Sequence, residues 1–226
     1  MKALLILMLS ASSIIGYSQL SEMQVNANDL MSGSNMVRSF DNRNKDVRGF
    51  PTLLKSYYPG QVLLSTGVSV NQDSINLDVY HNDLLVKKGK DVIMVVTKAM
   101  VNGFTMKHPD QEMNFTKLRD PMGNDLFFEV LVKGKLSLYK RTSKTISGPG
   151  VDDGYGTGRQ YSIYVQSTKI FIQKEKEEMV ELKNKKVILS QFPDKEELIN
   201  TFMKENKLGV KDDDELKKVV EYINTL

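Results

Sequence analysis

The sequence predicts a mainly β protein of the α+β class, an antiparallel meander followed by two or three C-terminal α-helices. Between residues 61 and 142, strand-like stretches recur roughly every ten residues and are separated by turn signals. After Pro193, apolar residues recur at helical spacing instead. The stretches between the strands are too short and irregular for crossover helices, which excludes a parallel α/β sheet. The meander is expected to form a sandwich or a partly open barrel.

The first 18 residues have the pattern of a signal peptide. Lys2 supplies the positive charge, residues 3–15 are mostly apolar, and Gly16 and Ser18 are the small residues expected before a cleavage site at Gln19. The apolar segment is shorter than the roughly 20 residues that span a membrane. We therefore expect export to the periplasm, the outer membrane or the cell exterior, with peripheral membrane association left open and no transmembrane segment.

Composition removes several classes of function. The 226 residues include no cysteine, so disulfides, thiolate nucleophiles and zinc–thiolate sites are excluded. The 31 Lys and Arg residues nearly balance 28 Asp and Glu residues, and they are scattered. Nucleic-acid binding would require clustered basic residues. The core of one domain, or of one domain with an appendage, must therefore stabilise the chain.

The chain divides into four parts. Residues 1–18 are the signal peptide, and the polar residues 19–48 form a flexible leader. An antiparallel β domain is expected at 49–182, beginning where Pro51 holds Phe50 extended. The segment 183–226 is expected to be helical and to pack on the β domain, because its apolar stripes are too narrow to be stable alone.

The β domain is expected to contain short strands. They are predicted at 61–65, 74–80, 84–87, 92–97, 101–107, 113–118, 125–132, 136–142, 161–165, 169–173 and 178–182. In the second of these, Ile75, Leu77 and Val79 are expected to point inward, and Asn76, Asp78 and Tyr80 outward. Residues 143–160 are a glycine-rich interruption, and Ser167 and Thr168 are expected to form a turn.

The stretch 125–142 is predicted to be the central hairpin of the sheet. Phe128, Val130 and Val132 alternate on one face, and the other face holds apolar residues around Glu129. A two-residue loop would place Val130 opposite Tyr139 and Glu129 opposite Lys140. A three-residue loop would instead place Val132 and Val130 beside Leu136 and Leu138. We favour the second register because it gathers the apolar residues on one face.

Two helices are predicted near the C-terminus, with a shorter one before them around 185–191. Asp194 is expected to cap the first, with Glu197 completing a capping-box-like pair. The second opens at Asp212, where residues 212–215 place negative charge at the positive end of the helix dipole. One apolar face of this helix comprises Leu216, Val219, Val220 and Ile223.

Several short segments resemble exported proteins of Bacteroidota that have no assigned function. They are the signal ending in Ser18 and Gln19, the entry at 49–51, the hairpin residues 127–131 and 134–135, and the stretches 192–194 and 204–208. The resemblance covers most of the mature chain and is carried by structural motifs. It implies an envelope location and no particular activity.

Candidate chemical sites are few. His81 is close in sequence to Asp78, Asp83 and Ser74, which would suit acid–base or nucleophilic chemistry, but a surface histidine beside a turn is the favoured interpretation.

His108 with Asp110 and Glu112 would suit a metal, although a polar hairpin loop is favoured. The segment Asp152, Asp153, Gly154 lacks the ligand spacing of a calcium loop. Glu129 is expected to have a cross-strand partner such as Lys140 or Tyr139. No residue is assigned as catalytic, metal-binding or cofactor-binding.

The sequence therefore favours a non-catalytic envelope protein, a β module that binds another protein or an envelope polymer. Outward-facing tyrosines are expected at Tyr80, at Tyr139 and at either Tyr161 or Tyr164. A carrier of a lipophilic ligand, with a barrel-like cavity, is the alternative. The 12 methionines and two-sided apolar strands are its support, although methionine also fills ordinary cores. A hydrolase that uses a carboxylate pair is a third, weaker hypothesis.

Overall fold

One open, mixed sheet and three C-terminal helices make up the described fold, which confirms the predicted mainly β, α+β class. The computed structural model describes residues 37–39, 44, 46–90, 92–150, 161–175 and 177–226. The strands are β1 (Val37–Ser39), β2 (Val47–Arg48), β3 (Tyr58–Leu64), β4 (Ser69–Asp78), β5 (Asp83–Lys88), β6 (Val92–Val96), β7 (Val101–His108), β8 (Gln111–Arg119), β9 (Asp125–Val132), β10 (Leu136–Gly150), β11 (Tyr161–Lys174) and β12 (Val180–Glu181). The helices are α1 (Lys185–Ser190), α2 (Glu196–Glu205) and α3 (Asp213–Thr225).

The sheet follows the chain as a meander for most of its width. Its order is β1-β6-β5-β4-β3-β7-β8-β9-β10-β11-β12, and each of these neighbouring pairs is antiparallel. The strand β2 lies off this path and pairs with β11 in parallel. This one short parallel pair makes the sheet mixed.

The sheet curls until the β4–β5 connection meets β9 and β10. Pairing between β9 and β10 is confined to residues 129–132 and 138–140, so the two strands separate beyond Glu129. The β4–β5 corner, residues 78–82, fills the gap. Asn82 exchanges two hydrogen bonds with the backbone of Phe127, and the Lys144 N–H donates to the Val79 carbonyl. The strands nevertheless form a single open sheet.

Side chains fill the inside of the curl. Val62, Ile75, Val101 and Met106 are fully buried there, in a cluster drawn from β3 to β9. Phe104 stacks on Phe115, with ring centroids 4.6 Å apart. The curved sheet therefore closes around a packed hydrophobic core.

The helices cover the ends of β9 and β10 that are joined by the turn at 133–135. Leu136, Leu138 and Ile172 share a second core cluster with residues of all three helices. The Asn224 side chain on α3 accepts from the Leu136 N–H and donates to the Leu136 carbonyl. A Cβ on Gly134 would clash with the Asn224 amide, so a side chain there would displace that amide from its hydrogen bonds to Leu136. None of the described helices is long and apolar enough to cross a membrane.

The favoured register of the central hairpin is wrong. Val132 pairs with Leu138, whereas Val130 pairs with Tyr139 and Glu129 with Lys140. An extra residue on β9 produces this shift, which is a β-bulge. Beyond the bulge the pairing is the one expected for a two-residue loop. The central position of the hairpin is supported, because Phe127 and Phe128 are buried on opposite faces.

Other local predictions also fail. Asn76 and Asp78 are fully buried, because residues 51–56 cover that face of β4. The expected turn at Ser167 and Thr168 is absent, since β11 runs without a break from Tyr161 to Lys174. The first part of the glycine-rich interruption belongs to β10.

At the C-terminus, Asp194 lies in a 3₁₀ turn, and α2 has no side-chain cap. Asp212, in contrast, caps α3 by accepting from the Asp214 and Glu215 N–H groups. The predicted signal peptide, most of the leader and residues 151–160 lie outside the described residues.

Candidate binding surface

The β4–β5 corner brings together the histidine and aspartate that the sequence singled out. Asp78 is fully buried, and its Oδ1 accepts from the N–H groups of Tyr80 and His81. Its Oδ2 lies 2.8 Å from His81 Nδ1. The carboxylate thus closes the turn with three hydrogen bonds, while half of the His81 side chain remains exposed (48%).

The buried Asp78 charge influences the groups around it. Burial, and then the negative charge of Asp78, raise the pKa of Tyr57 to about 12. Burial lowers the pKa of Lys144, and the charge of Asp78 opposes that effect. Lys144 Nζ donates to the carbonyls of Phe50 and Thr52, at 3.0 and 2.6 Å. This ammonium therefore fastens the entry segment to β10.

The corner lacks the arrangement of a nucleophilic site. Within the described residues, the side-chain hydrogen bond of His81 goes to Asp78 and no hydroxyl is bonded to the ring. Ser74 lies four residues before Asp78 on β4, roughly 13 Å away along an extended strand. Asp83 lies 3.6 Å from Lys98 instead. The structure assembles Asp78 and His81 and places Asp83 opposite Asp78 in the β4–β5 ladder, with the Asp83 carboxylate near Lys98. Ser74 lies apart from all three.

The second histidine also has structural neighbours. His108 Nδ1 lies 3.4 Å from Asp110 and accepts from the Asp110 N–H, and its ring packs edge-on against Tyr58. Glu112 lies opposite Lys107 in the β7–β8 ladder. In the described part of the chain, no group of three or more His, Asp or Glu residues is positioned to hold a metal ion. The segment 152–154 is outside that part.

Glu129 has the cross-strand partner that the sequence predicted. Its carboxylate lies 3.1 Å from Lys140 Nζ, which also donates to Asp213 on α3 at 2.8 Å. Burial lowers the pKa of Lys140, but the hydrogen bonds and charges of Asp213 and Glu129 outweigh it and raise the pKa above its usual 10.5. The three groups form an ion-pair network that joins the sheet to α3.

A shallow depression of about 400 Å³ is lined by three carboxylates, those of Asp120, Glu177 and Glu178. Asp120 is saturated: it accepts from the Met122 and Asn124 N–H groups and faces Arg141 at 3.7 Å. Burial raises the pKa of Asp120, but these hydrogen bonds and the Arg141 charge outweigh it and hold the pKa below 3.8. The carboxylate is therefore occupied in holding the β8–β9 turn.

An extensively exposed strand surface lies on the far half of the β10–β11 hairpin. We call residues 143–150 and 161–169 the arm. Here β10 has separated from β9, and β11 has passed beyond β12. On one face, Tyr164 packs edge-on against Tyr80 of the corner at 5.6 Å. On the other face, Ile163 and Val165 are 38% and 42% exposed, beside the exposed Thr145 and Ser147.

Of the expected outward tyrosines, Tyr139 is wrong. It is 7% exposed and packs with Phe128 and Phe171. Tyr80, Tyr161 and Tyr164 are partly exposed around the arm. The Arg48 guanidinium lies 3.3 Å from the centre of the Tyr161 ring, which places a cation on the aromatic face.

Sequence reasoning missed the arm itself. The alternation of Ile163 and Val165 with Tyr164 and Gln166 was the available signal, and it runs through Ser167 and Thr168 without a turn residue such as Gly, Asn or Pro. Thr and Ser are also ordinary residues on a solvent-exposed strand. The comparisons with protein-family models, curated proteins and solved structures find no match for this chain. Its own geometry therefore has to carry the functional argument.

Proposed function

We propose that this protein is an exported, non-catalytic binding module of the cell envelope that recognises another protein through the arm. The observation that carries the proposal is the exposure of Ile163 and Val165 on a stretch of β11 that has passed beyond its pairing with β12. A β-branched pair on an exposed strand is a liability for a protein that acts alone, since such strands promote association. A partner that covers the pair accounts for its retention.

The polar chemistry supports binding over catalysis. General acid–base catalysis needs a group that can gain or lose a proton next to a substrate. Asp78 is hydrogen-bonded within the β4–β5 corner, and Lys144 is hydrogen-bonded to the entry segment. Glu129 forms an ion pair with Lys140, which also binds α3. Each of these charged groups contacts a structural partner, and that contact would have to be broken before the group could act on a ligand.

The packing also favours a partner at the surface over a lipophilic ligand inside. A carrier cavity of the usual size is several hundred cubic ångströms, lined mainly by apolar groups. The inside of the curl is instead occupied by fully buried side chains such as Val62, Met106 and Leu84. The methionines that suggested a carrier include Met106 and Met113, which lie in this core.

Site-specific photo-crosslinking tests the proposed surface. A benzoylphenylalanine replacing Val165 is expected to give a discrete covalent adduct with one envelope protein when the chain is expressed in its native host. The matched control is the same probe at Val92, a valine of β6 that is 54% exposed and far from the arm along the sheet. The absence of an adduct at Val165, or the same adduct from both positions, would contradict the proposal.

Export is tested separately by the mature N-terminus. Protein recovered from the native host is expected to begin at Gln19, which intact-mass measurement resolves. A soluble chain that retains residues 1–18 would reject the signal peptide and, with it, the envelope location.

A further inference from the structure

We infer that the partner contributes an extended peptide segment that adds as a strand to β11, in the slot between β2 and β12. This inference rests on the proposed function and specifies its mode of recognition. The slot is the outer edge of residues 164–169. Among the described residues, β2 pairs with β11 only at Ser162 and Ile163, and β12 pairs only at Phe171 and Ile172.

The backbone of the slot points outward at alternate residues. The Leu182 N–H donates to the Ile170 carbonyl from the outer side, so the even-numbered residues of β11 face away from β10. The opposite strand agrees, because Lys144, the partner of Gln166, sends its own N–H away from β11 to Val79. The register between β10 and β11 is uninterrupted from Leu136 to Ser147. Gln166 and Thr168 therefore present their N–H and C=O groups at the open edge.

Both ends of the slot are defined by the chain itself. At one end, β2 leaves the edge at Gly49, whose φ of +95° turns the backbone away beside Tyr164. At the other end, the chain leaves after Leu182 and enters α1 at Asn184. Six residues of extended strand correspond to roughly 20 Å, which is the length of a short β-strand.

The length of the slot indicates which kind of chain segment can occupy it. Symmetric pairing of β11 with the β11 of a second copy is excluded, because that strand is 14 residues long and continues at both ends into its paired regions. The two ends of the second β11 would collide with β2 and β12, because these strands lie beside the outer edge of the first β11 where an added strand would continue. A chain terminus or an exposed loop, extended over about six residues and bending away at its ends, fits without this collision. Such strand addition gives affinity through main-chain hydrogen bonds.

The side chains around the slot indicate the chemistry of the segment. The neighbours that an added strand would meet are Val165 and Ser167 on one face and Tyr164, Gln166 and Thr168 on the other. Lys169, at the end of the slot, is already paired with Glu181 at 3.1 Å. The slot therefore suits an uncharged segment rich in β-branched and aromatic residues, which pair well across strands.

A matched pair of variants tests backbone recognition. The probe is a phage-displayed library of random decapeptides, selected on the wild-type chain. Gln166→Pro removes an outward N–H and leaves the β10 ladder intact, as proline is tolerated on an edge strand whose N–H faces solvent. Gln166→Ala keeps the N–H and removes the side chain. Selected peptides are expected to bind Gln166→Ala within about twofold of wild type and Gln166→Pro at least roughly tenfold more weakly, a difference of about 1.4 kcal/mol.

Hydrogen exchange on the wild-type chain checks the same point without a variant. Saturating peptide is expected to slow exchange at the Gln166 and Thr168 amides and to leave Ser167, whose backbone faces β10, unchanged. If Gln166→Pro melts well below wild type, Thr168→Pro replaces it, because its N–H has the same direction.

The inference is overturned if no peptide is enriched, if the selected peptides bind both proline variants as well as wild type, or if exchange at Gln166 and Thr168 is unaffected. The crosslink at Val165 separates this result from failure of the proposed function. An adduct that persists in Gln166→Pro means that the arm binds its partner through side chains alone. If the chain that carries benzoylphenylalanine at position 165 and no further substitution gives no adduct, the proposed function itself is rejected.

Discussion

Replacing Asn82 is expected to be one of the most destabilising polar substitutions in the chain. Asn82 lies in the left-handed region, with φ of 58°, and is 6% exposed. Its Oδ1 accepts from the Phe127 N–H at 2.8 Å, and its Nδ2 donates to the Phe127 carbonyl at 3.3 Å. Where β9 and β10 separate, the Asn82 side chain therefore supplies the hydrogen bonds that a neighbouring strand would otherwise make to Phe127.

The magnitude follows from what Asn82→Ala leaves behind. Phe127 is 1% exposed, so its N–H and C=O would both lose their partners in a buried environment, at about 1–3 kcal/mol each. Alanine in the left-handed region adds about 1 kcal/mol. Together these terms amount to roughly 3–7 kcal/mol, equivalent to a fall in Tm of roughly 6–28 °C for a domain of this size.

Urea unfolding followed by far-UV circular dichroism measures this loss. Asn82→Gly should be about 1 kcal/mol less destabilising than Asn82→Ala, because glycine accepts the positive φ. Lys207→Ala is the control: Lys207 has φ of 54° and is exposed, and lysine already carries the Cβ that the left-handed region disfavours, so its replacement should change stability by less than about 0.5 kcal/mol. A loss below about 1 kcal/mol for Asn82→Ala would refute the inference that Asn82 completes the edge of β9.

Three further predictions concern the core, the β8–β9 turn and the sheet–helix junction. Phe128→Ala should cost roughly 3–5 kcal/mol by leaving a cavity, whereas Leu63→Ala, at a 40% exposed position, should cost far less; thermal melts compare them. Because the pKa of Asp120 is lowered on folding, its stabilisation is present above pH 3.8 and is lost as the pH falls through the folded value. The stability gap between wild type and Asp120→Asn should therefore shrink below pH 3.8, and a gap that persists unchanged there would contradict the assignment. Because the pKa of Lys140 is raised on folding, its contribution to the free energy of unfolding is present below pH 10.5 and is lost as the pH rises through the folded value. In alkaline unfolding titrations, the stability of Lys140→Met should therefore fall less steeply with pH than that of wild type.

The sequence predicts best those elements whose own residues carry the signal. The strands from β4 to β9 are predictable because their apolar residues alternate or run continuously between turn residues. The start of α3 was found because Asp212 is both a good cap and part of an acidic first turn. These features are local, so one stretch of chain contains all the information needed.

The failures come from contacts made by distant segments. Alternation along β4 places Asp78 on the outer face, and it is buried only because residues 51–56 fold over that face. The bulge in β9 has no marker such as glycine, and the turn cannot reveal it. The sequence does not reveal the arm for the same reason. β11 looks like two polar strands until its long pairing with β10 is known, and an edge with which no described strand pairs is a property of the assembled sheet.

The insertion of the β4–β5 corner between β9 and β10 has a consequence for the order of folding. The hairpins of the meander are local and form quickly, but the contact between Asn82 and Phe127 spans 45 residues and needs β3, β7 and β8 to be in place first. Contacts of such long sequence separation are entropically costly and form late. Docking of the corner is therefore expected after the transition state for folding. Substitutions at Asn82 should then accelerate unfolding much more than they slow refolding.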